Sequence, residues 1–395
     1  MILEILFWIC LALVVYSYVG YGILLFFMIQ IKRIFKGKKN VPQVPDEDLP
    51  EVTYIVAAYN EERWIEDKIK NSFAFDYPKD KLKHFFVTDG TTDSTCDKIR
   101  NYPKGDNHLE LHHKDGRSGK IAAVERVMDF VDTPVVVYSD ANTFVNKNAI
   151  RNIVRYYQDP KVGAVAGEKR ISLDETGDAA GAGEGIYWKY ESTLKKWDAE
   201  LYSAVGAAGE LFSVRTNLYR PVPKDTIVED FYMTMKIAEK GYRIEYADDA
   251  YAAEGQSATV GEELKRKIRI AAGGLQAFAR LLPMLNIFKH GWLTFQYISH
   301  RILRWTLAPL ALPILLIVNI ILALQGAPIY QILLAAQVFF YFLALVGYVL
   351  ERRKLKFKAF FVPYYFCMMN YAVYRGFGRI MSGRQSVLWE RAKRA

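Results

Sequence analysis

Long apolar segments at both ends of the chain restrict its fold more than any other feature of the sequence. Residues 2–30 carry a single charge, Glu4, and two further apolar runs, 306–324 and 329–350, lie near the other end. Each run is long enough to cross the roughly 30 Å of hydrocarbon in a bilayer as a helix. The first run has no basic region before it and no small-residue cleavage site after it, so we expect a retained anchor. The sequence therefore predicts an integral membrane protein with a large segment between its membrane helices.

Basic residues beside these apolar runs predict the orientation of the chain. Residues 31–40 hold five Lys and Arg and no acid, and residues 351–395 hold eleven against two acids, in a chain of net charge +9. Such residues mark the cytoplasmic side of membrane helices and contact anionic lipid. We therefore expect residues 41–305 in the cytoplasm, at the plasma (inner) membrane. Nucleic acid is not an expected partner, because the rest of the chain has a net negative charge.

A shorter apolar stretch, residues 359–374, gives no clear span. A full crossing here would place the basic tail outside, so we expect a re-entrant or interfacial element, unless residues 281–299 dip into the membrane instead. The expected divisions are a transmembrane helix (1–30), a basic then Pro-rich linker (31–50), a cytoplasmic domain (51–285), an interfacial segment (286–305), a C-terminal membrane region (306–378) and a basic cytoplasmic tail (379–395).

Strand and helix patterns alternate in the middle segment. Short apolar runs predict strands at 52–58, 84–87, 109–112 and 135–138, and the helices expected between them are 61–75, 92–101 and 120–130. This alternation is typical of a mainly parallel, three-layer α/β sheet. Further along, the pattern is mixed and predicts strands at 163–166 and 211–214 and helices at 184–199, 231–240 and 262–272.

Polar residues follow the predicted strands where each one ends. Asp140 and Asn142 follow the fourth strand, Asp89 follows the second, and Tyr59 and Glu61 follow the first. Open α/β sheets bind ligands at this edge, and a carboxylate with a nearby amide oxygen suits Mg²⁺, which in turn binds diphosphate. An ordinary loop aspartate is the more common explanation of Asp140 taken alone. The repeated pattern instead indicates transfer from a nucleotide-activated donor, with a carboxylate as general base.

The order and spacing of several motifs resemble one known family. The motifs are VAAYNEE, VTDGTTDST, GRSGK, YSDANT, GAAGELFSVR, VEDFYMTMKIAEKGYRI and EELKRKIRIAAGG. Over roughly residues 50–310 they are similar to the membrane-bound family 2 glycosyltransferases, the relatives of hyaluronan, cellulose and poly-N-acetylglucosamine synthases. The resemblance implies a GT-A-like, three-layer (Rossmann-like) domain between transmembrane helices.

The resemblance also implies a donor site with Mg²⁺ or Mn²⁺ as cofactor. The metal is expected at Asp140 and Asn142, and Asp89 resembles the carboxylate that contacts uridine. The full set of implied donor-binding residues is Tyr59, Glu61, Asp89, Lys120, Asp140, Arg266 and Arg269. For Asp89 the alternative is a turn former, and for Lys120 it is a solvated lysine at a helix start.

Catalytic and acceptor residues follow from the same resemblance. Asp230, with Glu229 beside it, matches the family's catalytic base. The resemblance implies that Asp230 deprotonates an acceptor hydroxyl. The hydroxyl oxygen then attacks the anomeric carbon in line and inverts its configuration. An acidic residue at a helix N-terminus is also the usual cap, and the two roles are compatible. The implied acceptor-binding residues are Gly209, Glu210, Tyr187 and Trp188. A helix packed beneath the sheet explains the aromatic pair equally well.

Two positions depart from the family pattern. Asn142 replaces the second aspartate of the metal motif, so that the site has one negative charge fewer. The family's Gln-x-x-Arg-Trp motif has its counterpart at 266–270, which lacks the tryptophan. Residues 301–305 match that motif better by letters, but they adjoin a predicted span, where Arg and Trp commonly act as interfacial anchors. We therefore predict that 266–269 serves the active site and 301–305 anchors the chain.

The expected function is sugar transfer from a nucleotide sugar, implied to be UDP-linked, to a polysaccharide or lipid-linked glycan. The alternatives are a processive synthase that also exports its product and an inactive scaffold of the same fold. The presence of Asp89, Asp140 and Asp230 together disfavours the scaffold. A transporter is disfavoured because the clear spans hold no internal charge pair.

Overall fold

A computed structural model describes residues 1–172, 179–255, 260–353 and 358–383. Its centre is an eight-stranded sheet with the spatial order β3-β2-β1-β4-β7-β6-β8-β5. The strands are β1 (Val52–Ala58), β2 (Leu82–Asp89), β3 (His108–Lys114), β4 (Val135–Asp140), β5 (Thr143–Val145), β6 (Val162–Ser172), β7 (Leu211–Arg215) and β8 (Arg243–Gly255).

Helices cover the sheet and continue beyond it. They are α1 (Ile2–Lys36), α2 (Ile65–Phe73), α3 (Thr95–Arg100), α4 (Lys120–Met128), α5 (Ala149–Val154), α6 (Ala179–Leu201), α7 (Glu229–Glu239), α8 (Val260–Arg280), α9 (Ile287–His290), α10 (Trp292–Tyr297), α11 (Leu303–Trp305), α12 (Leu307–Leu324), α13 (Pro328–Arg352) and α14 (Lys358–Met381). A π-helical turn, Ile298–Ile302, joins α10 to α11.

The four strands β3, β2, β1 and β4 are parallel, as the alternating pattern predicts. Alternate side chains of β1 pack on opposite faces of the sheet: Tyr54 and Val56 pack with Ile69 of α2, whereas Ile55 packs with Val124 of α4. Both faces are therefore buried, which explains why the strand is apolar along its length. The three-layer α/β fold is confirmed.

The other half of the sheet is mixed rather than parallel. β7 is antiparallel to both β4 and β6, β6 and β8 are parallel, and β5 is antiparallel to β8. The prediction of a mainly parallel sheet is therefore correct for the first four strands only. The sequence pattern missed β5 and β8, because three residues are too few for a pattern and β8 carries acidic residues and alanines that disfavour strands.

Three helices, α1, α12 and α13, are long and apolar enough to cross a membrane. α1 packs against α12 through Phe7, Cys10 and Leu315, and many large apolar side chains on these helices are exposed, as lipid contact requires. The chain is a membrane protein. Its cytoplasmic orientation stays a prediction.

α14 runs through the stretch that we expected to be re-entrant or interfacial. It is one continuous helix, so the chain does not reverse direction here as a re-entrant element must. Its last turns pack on α8, where a Cβ added at Gly376 would lie 2.8 Å from the backbone nitrogen of Ala272. An interfacial position stays a prediction, and residues 384–395 of the predicted basic tail lie outside the described residues.

A buried polar junction links α1 to the domain. Tyr21 of α1 donates a hydrogen bond to Asp198 of α6, and His300 Nδ1 lies 2.5 Å from Asp198 Oδ2. Glu191 of α6 forms an ion pair of 2.6 Å with Arg301. Since these groups are largely shielded from water, each buried charge is stabilised by a partner from a distant part of the chain.

Candidate active site

Three of the predicted residues meet at the carboxyl edge of the sheet. Asp140 ends β4, Lys120 begins α4, and Glu229 begins α7. The Lys120 ammonium lies 2.8 Å from Asp140 Oδ1 and 3.0 Å from Glu229 Oε1. Burial opposes the charged form of Lys120, but the two carboxylates outweigh this effect and raise its pKa. A cation thus sits between two carboxylates at the point where a diphosphate is expected.

Asp230 lies beside this group in the first turn of α7. The N-cap of α7 is Val228, which has no side-chain capping bond, so Asp230 is not the cap residue. Burial, and then the negative charge of Glu229, raise the pKa of Asp230 to about 7. Gly209 lets the backbone approach closely, because a Cβ there would lie 3.3 Å from Asp230 Oδ2. Asp230 therefore has the pKa of an effective general base near neutral pH.

The residues expected to hold a metal suit a site shared with a substrate. Asp140 is 9% exposed, and burial raises its pKa although Lys120 opposes the shift. Asn142 follows in the turn before β5, and no group of three His, Cys, Asp or Glu able to hold a metal occurs among the described residues. The protein thus offers one carboxylate and one amide oxygen. Mg²⁺ is often bound by one or two carboxylates together with substrate phosphates, so the two residues fit such an ion.

The donor-side residues surround the loop before α4. Gly119 N–H donates to Asp89 Oδ2 at 2.7 Å, and Ser118 N–H donates to the same oxygen. The Arg117 guanidinium lies over the Tyr59 ring, 4.1 Å from its centre. Glu61 lies in the turn after β1, where its N–H donates to Thr95. The structure therefore brings Tyr59 and Asp89 to one loop, although Asp89 holds that loop through its carboxylate.

The two arginines of α8 differ in their surroundings. Arg266 forms ion pairs with Glu254 at 3.3 Å and Glu263 at 2.9 Å. Arg269 lies closer to the acidic group: burial lowers its pKa, while the charges of Glu229 and Asp230 oppose that shift. Arg269 is therefore placed to act on the carboxylates of Glu229 and Asp230.

Residues 301–305, the predicted interfacial anchor, contact other parts of the protein. Arg301 and Arg304 form ion pairs with the buried Glu191, and the Trp305 ring centre lies 5.2 Å from that of Phe231. Phe231 is the residue directly after Asp230. These side chains therefore contact protein, and Trp305 packs behind the helix that carries Asp230, whereas an interfacial position of this segment stays a prediction.

The predicted acceptor residues differ in their contacts, and a Cβ at Gly209 would lie 3.3 Å from Asp230 Oδ2. Glu210 forms an ion pair with Lys169, whose ammonium lies 5.0 Å from the centre of the Trp188 ring. Tyr187 packs against Tyr365 of α14, with ring centres 5.8 Å apart. Tyr187 thus packs against a C-terminal helix, Trp188 is half-buried among polar groups, and an acceptor role for the two residues stays a prediction.

The sequence analysis did not identify Lys68, whose side chain supports the turn that carries Asp140 and Asn142. Its side chain is fully buried, and its ammonium donates to Ser139 Oγ at 2.9 Å and to Thr143 O at 2.6 Å. These two residues flank Asp140 and Asn142. Burial lowers the pKa of Lys68 to about 7. The available signal was its position on the apolar face of α2, three residues after Ile65.

The fold and the site together define a GT-A-like glycosyltransferase. Residues 53–220 match the sequence model of Glycosyl transferase family 2. This segment is a family 2 glycosyltransferase domain.

Two curated relatives and one solved structure show what the chain is similar to. It is 26% identical over 264 residues to poly-beta-1,6-N-acetyl-D-glucosamine synthase of Staphylococcus aureus (strain COL), covering 66% of this chain and 62% of that protein. It is 25% identical over 258 residues to beta-monoglucosyldiacylglycerol synthase of Nostoc sp., covering 62% and 53%. The chain thus spans under two thirds of the length of both relatives. The solved mannosyltransferase PcManGT from Pyrobaculum calidifontis has a TM-score of 0.71 at 24% identity, covering 96% of this chain and all of that one.

Proposed function

We propose that this protein transfers a sugar, with inversion, from a nucleotide sugar to a hydroxyl of a glycan or lipid-linked acceptor at the cytoplasmic face of the plasma membrane. The observation that carries the proposal is the position of Asp230. This half-buried carboxylate, with a pKa of about 7, lies next to the ion pair that Lys120 forms with Asp140.

In the proposed reaction Asp230 accepts the proton of the acceptor hydroxyl. The acceptor oxygen then forms a bond to the anomeric carbon while the bond from that carbon to the nucleoside diphosphate breaks. The proton stays on Asp230 and the electron pair leaves with the diphosphate. A base whose pKa lies near the working pH is ionised in a useful fraction of molecules and still accepts a proton readily.

Cationic groups stabilise the leaving diphosphate. Lys120 is close enough to reach it once a donor displaces the ion pair with Asp140, and Arg269 adds a second positive charge. Asp140 and Asn142 would hold Mg²⁺ or Mn²⁺, which would supply further positive charge for the leaving group. The solved mannosyltransferase of similar fold contains GDP-Man and Mn²⁺, which supports a nucleotide-sugar donor and a divalent metal.

The donor and acceptor are proposed from the sequence motifs and the relatives. Asp89 and Tyr59 favour a UDP-sugar. The curated relatives are named as a polysaccharide synthase and a glycolipid synthase, and both products suit an enzyme held between membrane helices.

A screen of nucleotide sugars tests the proposal. Membranes containing the protein are incubated with each donor and with Mg²⁺, Mn²⁺ or EDTA, and release of the nucleoside diphosphate is measured. We expect release with at least one donor, its loss in EDTA, and a decrease of at least about 100-fold in Asp230→Asn, as for removal of a general base. Asp129→Asn, an exposed aspartate after α4, is the control.

Two results would contradict the proposal. Unchanged turnover in Asp230→Asn would exclude its role as base, and no turnover with any donor would favour the inactive scaffold. Product length in proteoliposomes separates the remaining alternatives. Long polymer inside the vesicles indicates a processive synthase with export, whereas a single added sugar indicates a simple transferase.

A further inference from the structure

Lys195 of α6 is a buried lysine that pairs with no carboxylate among the described residues. Its side chain is 4% exposed, and across the described parts of the chain it forms no ion pair or hydrogen bond. Its ammonium lies 5.9 Å from the ring centre of Trp188 and 6.0 Å from that of Tyr246. Burial, and then the positive charge of Arg301, lower its pKa. A buried charge without a partner is costly, so a protein that retains one commonly uses it to bind a ligand.

The nearest carboxylate on the same helix is already occupied. Trp188, Glu191 and Lys195 follow the i, i+3, i+7 spacing of one helix face. Glu191 pairs with Arg301 at 2.6 Å and with His300 at 3.2 Å, so its charge is neutralised from the side of the π-helical turn. Lys195 stays without an ion-pair partner among the described residues, and the carboxylate of Asp230 attracts its charge from a longer distance.

Two other buried lysines border the same indole ring, but both are neutralised. Lys169 and Lys267 each lie 5.0 Å from the centre of the Trp188 ring. Lys169 pairs with Glu254 at 2.5 Å, and Lys267 pairs with Glu263 at 3.3 Å. Lys195 is thus the lysine in this group that has no carboxylate at ion-pair distance, which makes it the one available to an anion.

The helix that carries Lys195 is attached to the first membrane helix. Tyr190 donates to the carbonyl oxygen of Tyr18, and Arg304 Nε donates to the carbonyl oxygen of Ser17 at 2.9 Å. An anionic group that enters beside α6 therefore meets Lys195 close to the membrane helices. Phosphate is the anionic group that membrane lipids carry in this position.

We propose that Lys195 and Trp188 form an acceptor subsite that binds a phosphate group, carried by a lipid, next to the hydroxyl that Asp230 deprotonates. This inference rests on the function proposed above and specifies its acceptor class. The half-buried Trp188 ring borders the Lys195 ammonium, which pairs with the phosphate. Charge-assisted hydrogen bonds of this kind are stronger than neutral ones, so the phosphate contributes much of the acceptor affinity.

The test is direct binding to the purified full chain in a neutral detergent. Dodecyl phosphate represents a lipid-linked phosphate and inorganic phosphate represents a free one, and each is titrated by calorimetry against the wild type, Lys195→Met and Lys189→Met. Lys189 is an exposed lysine of the same helix and serves as the matched control. We expect dodecyl phosphate to bind at least about tenfold more weakly to Lys195→Met, with the control unchanged and inorganic phosphate weaker throughout.

Thermal unfolding separates a binding role from a structural one. Without ligand, Lys195→Met should be at least as stable as the wild type, because methionine removes an unpaired buried charge at similar volume. Dodecyl phosphate should raise the melting temperature of the wild type and not that of the variant. A variant that unfolds at a clearly lower temperature without ligand would show that Lys195 is structural and would overturn the inference.

Other outcomes are equally decisive. The inference fails if dodecyl phosphate does not bind the wild type, if it binds Lys195→Met equally well, or if inorganic phosphate binds as tightly. It also fails if Lys195→Met loses nucleoside diphosphate binding instead, because the lysine would then serve the donor. Donor turnover by the same preparations separates the two proposals. If the protein turns over a donor but the binding test fails, only the phosphate subsite is refuted. If no donor is turned over, the proposed function is refuted as well.

Discussion

The pH dependence of turnover should report the ionisation of Asp230. Its pKa is about 7 because burial and the charge of Glu229 both disfavour the carboxylate. A general base must be ionised, so kcat/KM should rise with pH and level off above about pH 7. Below that value each pH unit should decrease kcat/KM about tenfold, since the ionised fraction falls by that factor.

Replacing Glu229 by glutamine removes a negative charge beside Asp230 at nearly constant size. A charge in contact with a carboxyl group changes its pKa by about 1 to 3 units, so the acid limb, the pH range over which kcat/KM falls on acidification, should move from about pH 7 to between about pH 4 and about pH 6. The same substitution removes the 3.0 Å ion pair between Lys120 and Glu229. The positive charge of Lys120 then acts on Asp140 and Asp230 alone, which also lowers the pKa of Asp230. Because Glu229 and Asp230 interact closely, the measured values belong to the pair.

The assay is kcat/KM for donor turnover, measured at constant ionic strength from about pH 5 to about pH 9. Glu239→Gln, at the opposite end of α7, is the control, because Glu239 pairs with Lys236 and lies away from the site. Its acid limb should coincide with that of the wild type. A limb that stays in place or moves to higher pH in Glu229→Gln would refute the reasoning.

Two further predictions concern the support of the site. Lys68→Met removes the hydrogen-bond donor to Ser139 and to the carbonyl oxygen of Thr143, which flank Asp140 and Asn142. The Mn²⁺ concentration for half-maximal turnover should therefore rise about tenfold. An unchanged Mn²⁺ titration would contradict this prediction. Gly206 has a φ of +78°, and a Cβ there would lie 2.1 Å from the Phe231 ring. Gly206→Ala should therefore lower the free energy of unfolding by about 2–5 kcal/mol, measured by denaturant titration, whereas Gly241→Ala carries only the cost of its positive φ; equal losses in both variants would contradict the clash.

The first four strands of the sheet were predictable because the residues within each strand carry the apolar pattern that identifies it. β1 has the bounds predicted for it, since a parallel strand buried on both faces must be apolar along its length. The second half depends on long-range pairing. The direction of β7 is set by β4 and β6 on either side of it, and no pattern within its five residues records that direction.

The candidate site was predictable where a motif follows a strand or begins a helix. Asp140, Lys120 and Glu229 belong to separate motifs that the sheet brings together. By contrast, Trp305 follows Asp230 by many residues and looked like part of a membrane boundary, and only the structure shows its packing on Phe231. Lys195 was missed for another reason, because a lysine in a helix usually points to water.

The buried junction between α6 and the π-helical turn has a consequence for biosynthesis. Asp198 and Glu191 lie in the interior, yet their partners His300 and Arg301 are synthesised about a hundred residues later. A nascent chain that ends before these residues holds two acidic groups without their counter-charges, so we expect the domain to stay incompletely packed on the ribosome. His300 and Arg301 emerge just before α12, the partner of α1 in the membrane. Completion of the domain interior and assembly of the membrane helices therefore fall at the same stage of translation.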